Sequence, residues 1–293
     1  MASWPDINET LRRLEQRQIF FIGGAPRSGT TWLQQIIDSH PDASCRGEGL
    51  FSKDLFRLLE GCMEERGHLL DAKNRRVFSH TSGYPLPAPG DSEFLAGTAI
   101  LLALHQQADG RDCLAYGEKT PENVFGFPRF KRLFPRAKFI GIARDPRDVL
   151  TSAWHFFARP NGYGEDDKSK ISFIETALPT LDEGARQMIA LRQTFPDACH
   201  IVTYEGLRAE RAARIAEIFA FLGLPVSAQL MSDCLERTSF ERMTGGRVAG
   251  EAADGAFLRK GVVGDWRATL SPAMNDLVLA KLGWMFPEFG WTP

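Results

Sequence analysis

The chain has almost no net charge, little cysteine and no long apolar run. Thirty-five Lys and Arg stand against 37 Asp and Glu, a formal charge of −2. That balance excludes a general basic field for nucleic acid and a polybasic membrane anchor, so any anion is bound in one local pocket. The five cysteines, Cys45, Cys62, Cys113, Cys199 and Cys234, are odd in number and never form C-x-x-C, which argues against a disulfide framework and a zinc site. Reduced thiols in a cytoplasmic protein are the expectation. No cluster of His, Asp, Glu or Cys has metal-ligand spacing, so no metal is expected. The longest apolar run, residues 94–104, falls well short of the roughly twenty residues of a membrane span. Residues 1–18 are polar and carry both Glu and Arg, without the apolar centre of a signal peptide. Repeats and low-complexity tracts are also missing.

What is there is a chain of 293 residues, long enough to bury about three quarters of its unfolded surface. Residues 19–25 form an apolar run closed by Gly and Pro, followed by a helical pattern with Trp32, Leu33, Ile36 and Ile37 on one face. A second unit starts at Lys138: residues 139–143 read as a strand, and Asp145, Pro146 and Asp148 read as an N-cap, a first-turn proline and an acid three residues after the cap. Residues 200–204 make a third buried strand, leading to a helix with Ile215, Ile218, Phe219 and Leu222 on one face before Gly223 and Pro225. Alternation of this kind predicts an α/β fold, a central parallel sheet flanked by helices with right-handed crossovers. One domain over 1–293 is expected, with 1–18 as an N-terminal helical extension. Residues 77–93 and 159–172, rich in Pro, Gly, Ser and charge, read as long loops of the kind that cover a site.

Gly24-Ala25-Pro26-Arg27-Ser28-Gly29-Thr30-Thr31 lies where strand becomes helix. Unpaired amides and the helix dipole favour a phosphate there. A Walker A loop has Lys after its second Gly, but Thr30 stands in that place and Arg27 is the only cation. Without that Lys, ATP or GTP hydrolysis loses its contact to the β and γ phosphates.

Pro26-Arg27-Ser28-Gly29-Thr30-Thr31-Trp32 resembles the 5′-phosphosulfate loop of sulfotransferases that use 3′-phosphoadenosine 5′-phosphosulfate (PAPS). Further matches follow in the family's order. The segment 143–152, with Arg144 and Ser152, resembles the 3′-phosphate segment; Val202-Thr203-Tyr204-Glu205 resembles the strand with an adenine-side Tyr. Arg259-Lys260-Gly261-Val262-Val263-Gly264-Asp265-Trp266 resembles the R-K-G-x-x-G-D-W loop. The resemblance implies the P-loop nucleotide-hydrolase-like arrangement, PAPS as donor without a metal, and Trp32 beside the adenine. Thr238-Ser239-Phe240 resembles a further nucleotide-side segment, although Phe240 reads equally well as core. On chemistry alone, Arg144 and Ser152 lie about two helical turns apart and reach one phosphate only if the strand end overhangs the helix. An Arg and a hydroxyl make a sensible phosphate clamp, Arg259 and Lys260 add two cations, and Gly261 allows close backbone approach.

The base is less direct. Cytosolic sulfotransferases of phenols and steroids use a His after a Lys-Thr pair, but Lys119-Thr120 is followed by Pro121. Tyrosylprotein and heparan-type enzymes use a Glu just beyond a His-Pro-Asp turn, and after His40-Pro41-Asp42 it is Glu48 that stands in the matching place. Lys119 in Gly117-Glu118-Lys119-Thr120-Pro121 resembles the Lys those enzymes set near the bridging oxygen. Glu48 is therefore read as general base, Arg27 and Lys119 as offsetting leaving-group charge, and the amides of residues 29–31 as holding oxygens. Glu118 is the alternative base; strand neighbours face opposite ways, so only one of Glu118 and Lys119 enters a cleft. His155, among aromatics, reads rather as a packing residue.

The expected reaction is transfer of a sulfuryl group from PAPS to a hydroxyl, with an amine as second option. The acceptor is a small molecule, a lipid headgroup or a saccharide, in a pocket formed by the loops 77–93 and 159–172. The family's dimer motif finds no good match in 267–276, leaving an oligomer open. A P-loop small-molecule kinase and a sulfotransferase-like protein that binds nucleotide without catalysis are the competing readings.

Overall fold

The computed structural model describes residues 3–253 and 256–293. Helix α1 (Trp4–Glu15) starts at Ser3, whose side chain and Asp6 form a reciprocal capping box, and it buries Leu11 and Leu14. Strand β1 (Gln18–Gly24) is buried from Ile19 onward. Alternate residues serve opposite faces: Ile19 and Phe21 join one core, Phe20 and Ile22 the other. Helix α2 (Thr30–Asp38) follows and buries Trp32, Leu33, Ile36 and Ile37, the face expected from periodicity.

Next come β2 (Ala43–Gly47), α3 (Phe56–Val77), α4 (Asp91–Gln107) and β3 (Ala115–Lys119). The apolar run 94–104 lies within α4, with Ala96, Ile100 and Leu104 buried at four-residue spacing. Helix α5 (Asn123–Leu133) leads to β4 (Lys138–Ala143), α6 (Pro146–Ala153), α7 (Asp167–Thr194) and β5 (Cys199–Thr203). The remaining helices are α8 (Tyr204–Ala209), α9 (Arg211–Leu222), α10 (Ala228–Arg237), α11 (Phe240–Thr244), α12 (Pro272–Leu282) and α13 (Met285–Phe289).

The five strands are parallel in the order β2-β3-β1-β4-β5. Phe21 and Phe139 pack with α4, α5 and α7 on one face, while Phe20, Ile140, Ile142 and Val202 pack with α2 and α9 on the other. Gly117 permits this closeness, since a Cβ there would lie 2.2 Å from the Phe20 ring. The expected α/β fold is therefore present. No helix among the described residues is long and apolar enough to cross a membrane.

Of the two loop expectations, 77–93 is loop except at its ends, while 159–172 needs correction. In 77–93 only residues 78–90 lie outside helices, and they are strapped along α3. Asn74 donates to the Tyr84 carbonyl at 2.9 Å and accepts from the Tyr84 amide at 3.1 Å. In 159–172 the chain makes a short 3₁₀ turn, Arg159–Asn161, and α7 is already under way at Asp167. The polar Asp166 that made the segment look like loop is the N-cap of α7, accepting from the Ser169 amide at 3.0 Å. Neither segment lines the large cleft described next.

Candidate functional site

The connection after β1 leaves toward β2 and the one after β4 leaves toward β5, so the strand ends diverge between these neighbours. Such a divergence opens a crevice at the carboxyl ends of a parallel sheet. A cleft of about 860 Å³ lies there. On its β1 side α2 begins at Gly29, in the left-handed region at φ 105°, with no side chain capping the helix. The first-turn amides therefore remain available to an anion, and Gly29, Thr30 and Thr31 line the cleft. The buried Ser28 Oγ has no hydrogen-bond partner.

Arg27 sits at φ 72°, an uncommon conformation for a non-glycine residue. Its guanidinium packs on Phe156 and Phe257, 4.1 and 4.8 Å from the ring centres, and donates to the Phe257 carbonyl at 2.6 Å and to Ser152 Oγ at 3.3 Å. Arg144 leaves the end of β4, donates to the carbonyls of Arg27 (3.2 Å) and Val262 (3.0 Å), and lies 4.3 Å over the Tyr204 ring. Arg144 and Ser152 both line the cleft and are joined through Arg27, which accepts from Arg144 at its carbonyl and donates to Ser152 from its guanidinium.

Trp32 also lines the cleft. Its Nε1 donates to the Thr238 carbonyl at 3.0 Å and its ring meets Tyr204 edge-on at 5.4 Å. Thr238 is buried behind it and accepts from Arg211 at 2.5 Å. Phe240 lines the cleft over Gly261, where φ is +64° and a Cβ would lie 2.3 Å from the ring. Arg259 and Lys260 both donate to Asp265, Lys260 at 2.7 Å. Their loop is held from below by Asp148, a fully buried carboxylate accepting from the amides of Gly264 (2.7 Å) and Trp266 (3.0 Å) and lying 3.7 Å from Arg144. Arg147, also buried, pairs with Asp145 at 2.7 Å between the Trp266 and Phe286 rings.

The cleft is strongly cationic. Arg27, Arg144, Arg208, Arg211, Arg259 and Lys260 line it, and Asp265 is the one acid among the described lining residues. Burial, then the charges of Arg144 and Arg259, push the Arg27 guanidinium down to about 10. Burial likewise lowers Arg211 and raises the Tyr204 phenol. Sequence reading missed Arg208, Arg211, Met243, Phe257, Leu258 and Val262. Arg208 and Arg211 carried a signal, standing four and seven residues after Tyr204.

Lys119 and Glu48 lie outside this lining, at the ends of β3 and β2, where Gly47 pairs with Lys119. The buried Lys119 ammonium donates to the exposed Glu48 carboxylate at 2.5 Å. Glu118 points elsewhere, into a buried nest formed by the Gly49 amide, Thr120 and Asn123. Burial raises its carboxyl above the ordinary range, against the lowering pull of those three donors. His155 lies 3.4 Å from Arg159. Among the described residues no group of three His, Cys, Asp or Glu could hold a metal ion.

Known proteins match this architecture. A putative protein-tyrosine sulfotransferase of Caenorhabditis briggsae is 29% identical over 214 residues, 73% of this chain and 68% of that protein. Sulfotransferase 1A1 of Bos taurus is 24% identical over 275 residues, covering 87% and 79%. Among solved structures, mouse sulfotransferase SULT7A1 complexed with PAP superposes with a TM-score of 0.57 at 21% identity, covering 97% of this chain and 93% of that one. That likeness shows the same fold. The sequence profile of the Sulfotransferase family matches residues 19–228, and the chain belongs to that family.

Proposed function

We propose that this protein is a cytoplasmic sulfotransferase that takes its sulfuryl group from PAPS and delivers it to an acceptor hydroxyl, with Glu48 as general base. The carrying observation is the meeting of Arg27, Arg144 and Ser152 at the uncapped start of α2. The cleft suits a nucleotide bearing two separate phosphate groups: six cations face one acid, and Ser28 Oγ and Arg144 Nε are buried without partners. The mouse relative by fold is complexed with PAP, the product of such a donor.

In this reading the residues divide by position. The amides of Gly29, Thr30 and Thr31 and the Arg27 guanidinium hold the 5′ side, where leaving-group charge develops. Arg144, Ser152, Arg259 and Lys260 hold the 3′-phosphate, with Gly261 bringing backbone close. Trp32, Tyr204 and Phe240 frame the base, with the buried Thr238 supporting Trp32 from behind. The donor supplies an activated sulfuryl group; the chain's work is alignment and removal of one proton. Lys119 keeps Glu48 oriented toward the end of the sheet, from where its carboxylate would take the acceptor's proton. A small molecule, lipid headgroup or saccharide would approach from the Glu48 side.

Thermal denaturation tests the donor assignment. 3′-Phosphoadenosine 5′-phosphate at about 100 times its Kd should stabilise the fold by about 2.7 kcal/mol, while Mg-ATP does little. An equal response to both would favour a kinase. Turnover of labelled PAPS against an extract of the source organism, followed by mass identification of the product, names the acceptor.

A further inference from the structure

Glu118 is 2% exposed, and the proposed reaction does not use it. A buried carboxylate is tolerated when its oxygens are fully hydrogen-bonded, and here the donors come from different chain segments. Oε1 accepts from the Gly49 amide at 2.7 Å and from the Thr120 hydroxyl; Oε2 accepts from Asn123 Nδ2 at 2.7 Å. Gly49 directly follows Glu48, and Thr120 directly follows Lys119. Asn123 Nδ2 also donates to the Ile22 carbonyl at 3.1 Å, in the strand that feeds the phosphate-binding turn. Leu50, left-handed at φ 52°, donates its amide to Thr120 Oγ1 at 3.4 Å.

The chain leaving β2 is thus pinned at two consecutive amides to the Glu118–Thr120 unit. Glu48, one residue upstream of that pin, is itself exposed and held by Lys119. We infer that Glu118 is a positioning residue, which fixes the 48–50 segment so that the Glu48 carboxylate meets Lys119 at the end of the sheet. The inference rests on Glu48 as base. It separates the two acidic candidates by role: Glu118 is committed to three donors, whereas Glu48 has one partner and access to solvent.

Glu118→Gln tests it, because the amide keeps the volume but sets an N–H group against one of the donors. With PAPS saturating, kcat should fall about 10–100-fold, the penalty of misplacing a reacting group by a fraction of an ångström to about an ångström. Kd for 3′-phosphoadenosine 5′-phosphate should change less than about threefold. The acid limb of log kcat against pH should persist in Glu118→Gln and vanish in Glu48→Gln, and Glu118→Gln should cost less than about twofold in the Glu48→Gln background. Should Glu118→Gln fold poorly, Thr120→Val should lower kcat in the same way and Thr120→Ser should restore it. An acid limb lost in Glu118→Gln and kept in Glu48→Gln makes Glu118 the base. Loss of kcat in proportion to nucleotide affinity makes it a structural prop. A wild-type rate in Glu118→Gln beside a Glu48→Gln slowed to a small residual rate overturns the positioning role alone, and a Glu48→Gln rate near wild type overturns the base assignment beneath it.

Discussion

Arg27→Gly separates what Arg27 does for binding from what it does for the fold. With its charge disfavoured to about 10, Arg27 carries about 3 kcal/mol of unfavourable free energy at about 1.4 kcal/mol per tenfold. Water reaches part of the side chain, and after screening about 1–2 kcal/mol remains to be relieved. Glycine also removes about 1 kcal/mol of left-handed strain at φ 72°, less about 0.5–1 kcal/mol for its greater freedom when unfolded. Against these gains stand the 2.6 Å bond to the Phe257 carbonyl, about 1.5–3 kcal/mol, and two ring contacts of about 0.5–1 kcal/mol each. The losses of about 2.5–5 kcal/mol exceed the gains of about 1–2.5 kcal/mol, a net loss centred on about 2 kcal/mol. For a chain of this length that is a fall of about 4 °C in Tm. Binding has no such compensation: loss of a charge-assisted contact should raise Kd for 3′-phosphoadenosine 5′-phosphate about 10–100-fold. Denaturation scans with and without the nucleotide, plus calorimetric titration, read both quantities. A fall of more than about 8 °C in the ligand-free protein would show that Arg27 holds the fold together, and an unchanged Kd would remove it from the donor site.

Gly261→Ala places a methyl group 2.3 Å from the Phe240 ring at φ +64°, so it should displace that ring and weaken nucleotide binding about 10-fold by calorimetry, with a Tm loss of a few degrees. For His200, burial lowers the imidazole below its ordinary 6.5, opposed by Glu217 and reinforced by Arg214. The unfolded chain then takes up this proton first, so the contribution is present above the ordinary value and lost as pH falls through the folded one. His200→Gln should accordingly lose less Tm than wild type between about pH 7.5 and 5.5, and parallel Tm curves would refute the assignment.

The legible parts are those encoded within a few residues. The turn around Gly29 lies between a continuous apolar strand and an amphipathic helix, and the Asp145-Pro146 start of α6 needs only its own neighbours, since Asp145 accepts from the Arg147 amide at 2.9 Å. Strand β2 was not readable because Ala-Ser-Cys-Arg-Gly has no apolar run; its extended form comes from pairing with β3, about seventy residues away. Asp148 looked like the acidic partner of a helix cap, yet its carboxylate serves Gly264 and Trp266, 116 and 118 residues further on. The start of α7 was hidden because an N-cap has the composition of a loop.

The charge balance of the whole chain takes on a local meaning in this geometry. A protein of formal charge −2 gathers six cations at one sheet end, where like charges repel; burial first, and then Arg144 and Arg259, push the Arg27 guanidinium down. Two carboxylates offset that repulsion from different places. Asp148, buried beneath the loop, fixes backbone and faces Arg144, while Asp265, at the cleft surface, takes hydrogen bonds from Arg259 and Lys260. The first is inaccessible to a ligand and can only position; the second occupies donors that a phosphate would also seek. Glu48 and Lys119 pair with each other outside the lining, so their charges add little to the cleft's positive potential.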